Sequence, residues 1–249
     1  MTEIFCDSGD LAGIMEASKN PIVKGFTTNP TLLAKAGVTD YEGFAKEAIS
    51  FLKANRPTTN LSLEVFATDR DTIKAQALKI ASWGEEADYK VYVKIPVVNP
   101  DGTDNYDLID ELSSQININV TAVFTENQIV NSINALSKDD VNTNHIISIF
   151  AGRIADVGHD PVDKFKFARE KYYPRAWKVD TDIKFLWAST RQASNYSDAV
   201  KAEVDIITMS PDQITKVGGF YKKDLHQFSI ETSAMFASDA VKSGFTINV

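Results

Sequence analysis

Eight short apolar runs, segments of helical period between them, and polar residues sharing one parity near the ends of the runs predict an α/β fold closed into a (β/α)8 TIM barrel. The runs are Ile4–Asp7, Gly25–Thr28, Leu61–Phe66, Val91–Val97, Ile118–Phe124, Ile146–Ala151, Ile183–Ser189 and Val204–Met209. Between them, Tyr41–Asn55 places Phe44, Ala45, Ala48, Ile49 and Leu52 on one helical face. The segment Asp69–Trp83 repeats the pattern with Ile73, Ala77, Leu78, Ile80 and Ala81. Strands alternating with helices of this length make βαβ units, and eight such units imply closure. An open doubly wound sheet is the competing architecture, but it carries a Gly-rich first turn, and Asp7-Ser-Gly-Asp10 is not one. The 249 residues fit one barrel domain, 1–249. It ends in an amphipathic helix at about 223–243, with Phe228, Ala234, Met235 and Phe236 in contact positions.

In such a barrel, side chains alternate between the interior and the helix layer, and chemistry sits at the C-terminal strand ends. The first run ends on Asp7, with Cys6 turned to the helices. The second leads into Gly25–Thr31. The third points Ser62 and Glu64 inward and Val65 outward. The fourth points Tyr92 and Lys94 inward, with Val91, Val93 and Ile95 outward, and Pro96 should end its pairing just after the lysine. The fifth offers Asn119 and Thr121 against Val120, the sixth Ser148 and Phe150 against Ile149, and the seventh Ser189 against Ala188. No polar residue is assigned to the eighth. A purely structural barrel fills its interior with branched apolar side chains, so polar residues confined to one parity point to chemistry.

Lys94 is the centre of that chemistry. An amine at the end of a buried β-branched run is the usual source of a Schiff base with a carbonyl substrate; the alternative is a lysine that snorkels to water from a strand end. Asp7 and Glu64 would push Lys94 towards its charged form. Desolvation must therefore win, or attack is coupled to proton transfer.

Composition narrows the classes. Hydrophobic residues at 43% and charged residues at 24% are those of an ordinary globular protein. An acidic excess of 34 against 26, net charge −8, argues against a nucleic-acid surface. A single cysteine, Cys6, permits no intramolecular disulfide, and His145, His159 and His226 form no metal-binding pattern, so neither metal nor cofactor is expected. The three histidines are expected at the surface or satisfied in the core. The start Met1–Asp7 lacks the features of a signal peptide and no run is long enough to span a membrane, so the cytoplasm is the expected compartment.

Gly25-Phe-Thr-Thr-Asn-Pro-Thr31 followed by Leu32-Leu33-Ala34 resembles the threonine–asparagine–proline signature of the transaldolase family, and Val93-Lys-Ile-Pro-Val97 resembles its Schiff-base lysine motif. Asn119–Phe124, Ser148–Ile154, Ala188–Arg191 and Ile206–Pro211 look like further family blocks, in family order, so the resemblance covers most of the chain. It implies a (β/α)8 barrel with metal-free, cofactor-free aldol chemistry on phosphorylated sugars, in the pentose phosphate pathway. By that resemblance Lys94 attacks the ketose carbonyl, and Glu64 exchanges protons through a water also held by Thr121. Asp7 accepts the proton of the C4 hydroxyl. Asn29, with Thr28 beside it in the signature, and Ser148 hold the dihydroxyacetone hydroxyls. Arg153, Ser189 and Arg191 hold the phosphate, and a guanidinium pair suits a dianion by bidentate bonding. Only six arginines occur, and two fall just past the sixth and seventh runs.

Two branches of the family differ in the fate of the enamine. Transaldolases hold it for an acceptor aldehyde; fructose-6-phosphate aldolases protonate it and release dihydroxyacetone. The first branch carries glutamate and phenylalanine where the second carries glutamine and tyrosine. Glu64 and Phe150 stand at those positions here, which favours transfer. The lyase, and a sugar-phosphate-binding barrel without turnover, are the alternatives. The chain departs from the family in length, with extra residues around His159–Thr181 beside the phosphate arginines. The C-terminal helix suggests a homo-oligomer, or packing across the chain's own barrel mouth.

Overall fold

The computed structural model describes residues 1–138, 143–176 and 182–247, and its eight parallel strands close into a barrel in chain order. The strands are β1 (Glu3–Asp7), β2 (Val23–Thr27), β3 (Leu61–Glu64), β4 (Val91–Pro96), β5 (Ile118–Val123), β6 (Asn144–Ile149), β7 (Asp182–Trp187) and β8 (Ile206–Met209). Each of the eight apolar runs overlaps one, and β1, β2, β6 and β7 begin one or two residues before their runs. Closure is made by β1 and β8, which pair over Glu3–Cys6 and Ile206–Met209.

The return connections carry α1 (Leu11–Ser18), α2 and α3 (Pro30–Lys35, Tyr41–Asn55), α4 (Arg70–Glu86), α5 (Tyr106–Ser113), α6 (Glu126–Leu136), α7 and α8 (Ala151–Asp156, Pro161–Ala176) and α9 (Asn195–Lys201). After β8 come α10 (Pro211–Phe220) and α11 (Leu225–Lys242). The short helices α2 and α7, each of 6 residues, are additions to the one-helix-per-unit plan. The α3 bounds are those its periodicity predicts. In α4, Asp69 is the N-cap, its side chain accepting from the Thr72 amide. Leu78, expected on its inner face, is 38% exposed; Trp83 and Gly84 complete that face.

Two apolar clusters follow from the strand parity. The larger lies between strands and helices and includes Cys6, Val65, Val93, Ile95, Val120 and Ile149, the residues whose parity turns them outward. The smaller fills the barrel interior with Phe5, Tyr92, Ile146, Leu186, Ala188 and Ile206, with Phe150 packed against it. Gly25 makes room for Phe5, since a Cβ there would sit 2.6 Å from its ring.

Three expectations are corrected. Pairing of β4 does not stop after Lys94: the Val97 amide donates to the Thr121 carbonyl at 2.9 Å. Residues of a parallel strand bond alternately to their two neighbours. The donor Pro96 lacks would face β3, which has already ended at Glu64, so nothing is lost. Ala188, expected outside, packs inside because Leu186 and Ala188 continue the inward parity of β7. The C-terminal helix α11 has no buried residue, and Phe228, Ala234, Met235 and Phe236 are all exposed. It does not cover the barrel mouth; its ring contact is between Phe228 and Phe220, 5.5 Å apart. Of the extra segment, 161–176 forms α8, while 177–181 lies outside the described residues.

Candidate active site

At the C-terminal ends of the strands a cavity of about 560 Å³ opens, lined by Asp7, Asn29, Glu64, Lys94, Thr121, Ser148, Phe150, Arg153, Ser189 and Arg191 among others. Ten of the eleven residues singled out in the sequence therefore meet in one space. Thr28 does not line it. Its side chain is fully buried and its hydroxyl donates to the Ser62 carbonyl at 3.1 Å. What Thr28 gives the site is its own carbonyl, which accepts from Lys94 Nζ at 2.7 Å.

Lys94 is 6% exposed, and its Nζ lies 2.6 Å from Glu64 Oε2. The pair results from register, because Glu64 and Lys94 are direct partners across β3 and β4. The carboxylate expected to favour the charged form of Lys94 thus stands within proton-transfer distance. Asp7 stands on β1 with Thr27 Oγ1 donating to its Oδ1 at 2.7 Å. Burial pushes the Asp7 carboxyl above the ordinary carboxylate range, and the Lys94 charge and the Thr27 hydrogen bond only partly offset this.

Thr121 is 2% exposed, and its Oγ1 has no hydrogen-bond partner. It faces the cavity by the inward parity it shares with Asn119, and the backbone turns irregular beside it. The β5–β6 register shifts between Val120 and Val123, and Ala122 adopts a left-handed backbone with φ 59°. Such strain in a non-glycine residue collects at functional sites, and an orphan buried hydroxyl facing a cavity is a place for a ligand or water. Ser148 Oγ donates to Asn119 Oδ1 at 2.7 Å, and Asn119 Nδ2 donates to Ser62 Oγ at 3.2 Å. With its one proton used, the Ser148 hydroxyl is an acceptor towards the cavity. Asn29 caps α2, its Oδ1 accepting from the Leu32 amide at 3.0 Å, which leaves its amide group for a ligand oxygen.

The far end of the cavity is cationic. The Arg153 guanidinium lies 5.6 Å from the Phe150 ring centroid, and Phe150 packs on Phe124 with centroids also 5.6 Å apart. Arg191 is held by Asp156 at 2.5 Å. The β6 and β7 loops approach so closely that a Cβ on Gly152 would come within 1.7 Å of the Ser189 carbonyl oxygen. Ser189 lies beyond β7 and reaches the cavity through a left-handed backbone, φ 61°, rather than through strand parity. The cavity also holds residues the sequence reading passed over: Thr27, Lys35, Leu186, Thr208 and Gln213. Thr27 and Thr208 carried a signal, since each shares the parity of an inward neighbour, Gly25 on β2 and Ile206 on β8.

The family model described as Transaldolase/Fructose-6-phosphate aldolase matches residues 4–245. The chain belongs to that family. A "probable transaldolase" of Dehalococcoides mccartyi is 33% identical over 158 residues, 63% of this chain and 64% of that protein. Another, of Caulobacter vibrioides, is 29% identical over 245 residues, 98% of this chain and 99% of that protein. Among solved structures, the YdjI aldolase of Escherichia coli K12 superimposes with a TM-score of 0.52 at 11% identity, covering 91% of this chain and 83% of that one, a likeness of fold alone.

Proposed function

We propose that the protein is a transaldolase, moving a dihydroxyacetone unit from a ketose phosphate of the fructose 6-phosphate type to an aldose phosphate through a Schiff base on Lys94. The carrying observation is the Lys94–Glu64 contact of 2.6 Å beside the unpartnered Thr121 hydroxyl. Glu64 takes a proton from Nζ, the freed amine adds to the C2 carbonyl, and loss of water from the carbinolamine gives the iminium. Thr121 Oγ1 holds that water against Glu64. Asp7 then removes the C4 hydroxyl proton as the C3–C4 electron pair moves into the iminium, leaving an enamine and a free aldehyde. Asn29 and Ser148 hold the hydroxyls of the retained fragment, and Arg153, Arg191 and Ser189 hold the phosphate of the fragment that leaves and of the acceptor that replaces it.

Transfer rather than release rests on Phe150. A ring without a hydroxyl, packed between Phe124 and Arg153, gives no donor to protonate the enamine. The test is borohydride treatment in the presence of fructose 6-phosphate followed by mass spectrometry, together with the ratio of transfer to erythrose 4-phosphate over release of dihydroxyacetone. A dihydroxyacetone adduct on Lys94 with transfer ahead of release is expected. Release ahead of transfer would make the protein an aldolase, and no adduct with any ketose would leave a binding barrel. The same reading places the protein in the cytoplasm and the pentose phosphate pathway. Among the described residues no helix is long and apolar enough to cross a membrane. The exposed Leu225, Ile230, Met235 and Phe236 of α11 support a homo-oligomer.

A further inference from the structure

Thr27 Oγ1 donates to Asp7 Oδ1 at 2.7 Å and lies 2.6 Å from Thr208 Oγ1. Thr27 and Thr208 are 3% and 6% exposed, so water competes little for these contacts. A hydroxyl has one proton. Thr27 spends its proton on the carboxylate, and two oxygens 2.6 Å apart without a proton between them repel. The donor direction is therefore fixed: Thr208 donates to Thr27, and Thr27 donates to Asp7. Thr208 is itself pinned, because the Thr190 hydroxyl donates to its carbonyl at 2.6 Å, and Gln213 Nε2 donates to the Thr190 carbonyl at 3.2 Å.

We infer that Thr208 is a positioning residue that acts through Thr27 to fix the Asp7 carboxylate, holding Oδ1 within the barrel wall so that Oδ2 alone meets the substrate hydroxyl. This deepens the proposed reaction and rests on Asp7 being its base. In the cleavage step the C4 hydroxyl proton passes to Asp7 Oδ2, the C4 oxygen becomes the aldehyde carbonyl, and the C3–C4 pair becomes the enamine. Throughout, Oδ1 remains an acceptor, so the hydroxyl chain keeps its direction in both protonation states. A two-link chain of this kind strengthens its last bond by polarisation. It favours the ionised carboxylate against the burial that opposes it. The charged groups facing Asp7 across the barrel are Lys94 on β4, which works in the same sense, and Glu64 on β3, which works in the opposite one.

The experiment compares Thr208→Val, Thr208→Ala and Thr208→Ser with the wild type. The protonation midpoint of Asp7 is followed by carboxyl-carbon NMR in the ligand-free protein, alongside kcat, KM and borohydride trapping. Losing the Thr208 hydroxyl should move the Asp7 midpoint upward and lower kcat for cleavage about tenfold, one neutral hydrogen bond's worth. KM and the total ketose trapped on Lys94 should stay near wild type, with the trapped species shifted towards the uncleaved ketose phosphate, since iminium formation does not use Asp7. Thr208→Ser should restore both quantities. An unmoved midpoint with unchanged kcat in both the valine and alanine variants would overturn the inference, as would a serine variant that loses as much as valine does. Asp7→Asn is run beside them. If it keeps turnover, the base assignment fails by itself and the ligand-free titration alone decides the role of Thr208.

Discussion

Asp7 is where function and stability oppose each other most directly at the scale of one residue. Its carboxyl is raised above its ordinary range by burial, so the folded state binds the proton more tightly than the unfolded one. Stability contributed by such a group is present at low pH and declines as pH rises from the ordinary value of 3.8 through the folded one. At neutral pH the barrel therefore carries a cost for an ionised Asp7. Asp7→Asn keeps the shape and the acceptor for Thr27 while removing the charge. It should abolish cleavage and raise the thermal midpoint measured at pH 7. A midpoint below wild type would show that the attraction to Lys94 outweighs desolvation. Glu64→Gln separates the other carboxylate: it keeps a hydrogen-bonding group beside Nζ but cannot take its proton. Transfer should slow by ~10²–10⁴ if the residue works as an acid–base group, and a rate equal to wild type would reduce Glu64 to a scaffold.

At the scale of elements, the β6 and β7 loops form the anion end as one unit. Gly152 allows α7 to start against the Ser189 carbonyl, and any Cβ there would collide with it. Gly152→Ala should push the two loops apart and raise KM for a phosphorylated donor about tenfold or more. That corresponds to loss of one charge-assisted bond of about 1.5–3 kcal/mol. The Lys94 adduct should still form, and a KM unchanged in a folded variant would place the anion elsewhere. How far the site could be read in advance divides along the same elements. Within β1, β3, β4, β5 and β6, alternation alone brings Asp7, Glu64, Lys94, Thr121 and Ser148 into the cavity, because a strand's period of two leaves no freedom, and Phe150, one residue past β6, keeps the same side. Alternation fails where the backbone leaves that period. Ser189 arrives through a left-handed turn, whereas Thr121 keeps the inward parity of Asn119 and the irregular backbone comes at Ala122 after it. Thr28, named from the signature rather than from parity, follows the inward Thr27 and so turns its side chain away from the cavity. Thr27 and Thr208 obey the period, but threonine is an ordinary strand residue. Only their mutual approach across the β1 closure, 181 residues apart in sequence, gives them meaning.

The whole molecule places its chemistry and its pH sensitivity at different points of the barrel. His145 lies near the N-terminal start of β6, 1% exposed, and there the Ile118 amide donates to its Nδ1 at 3.2 Å. That bond fixes the neutral tautomer with the proton on Nε2, beside Thr143 Oγ1 at 3.3 Å. Protonating Nδ1 would set an N–H against the Ile118 N–H inside the wall. Burial accordingly depresses the imidazole from an ordinary 6.5 to about 4. A depressed folded value means that the unfolded chain takes up the proton first. The stability at stake is fully present above pH 6.5, declines as pH falls, and reaches a loss of about 3 kcal/mol once the folded value is met, at 1.36 kcal/mol per unit. The raised Asp7 and Asp205 carboxyls act in the opposite sense, losing stability as pH rises, and His159 and His226 are exposed, so a loss of stability on acidification between about pH 6.5 and 5 is assigned to His145. Denaturant midpoints should fall steadily across that interval in the wild type and stay nearly level in His145→Leu. The leucine variant should start lower, since it leaves the Ile118 amide without an acceptor. A slope as steep in His145→Leu as in the wild type would assign the pH dependence to another group.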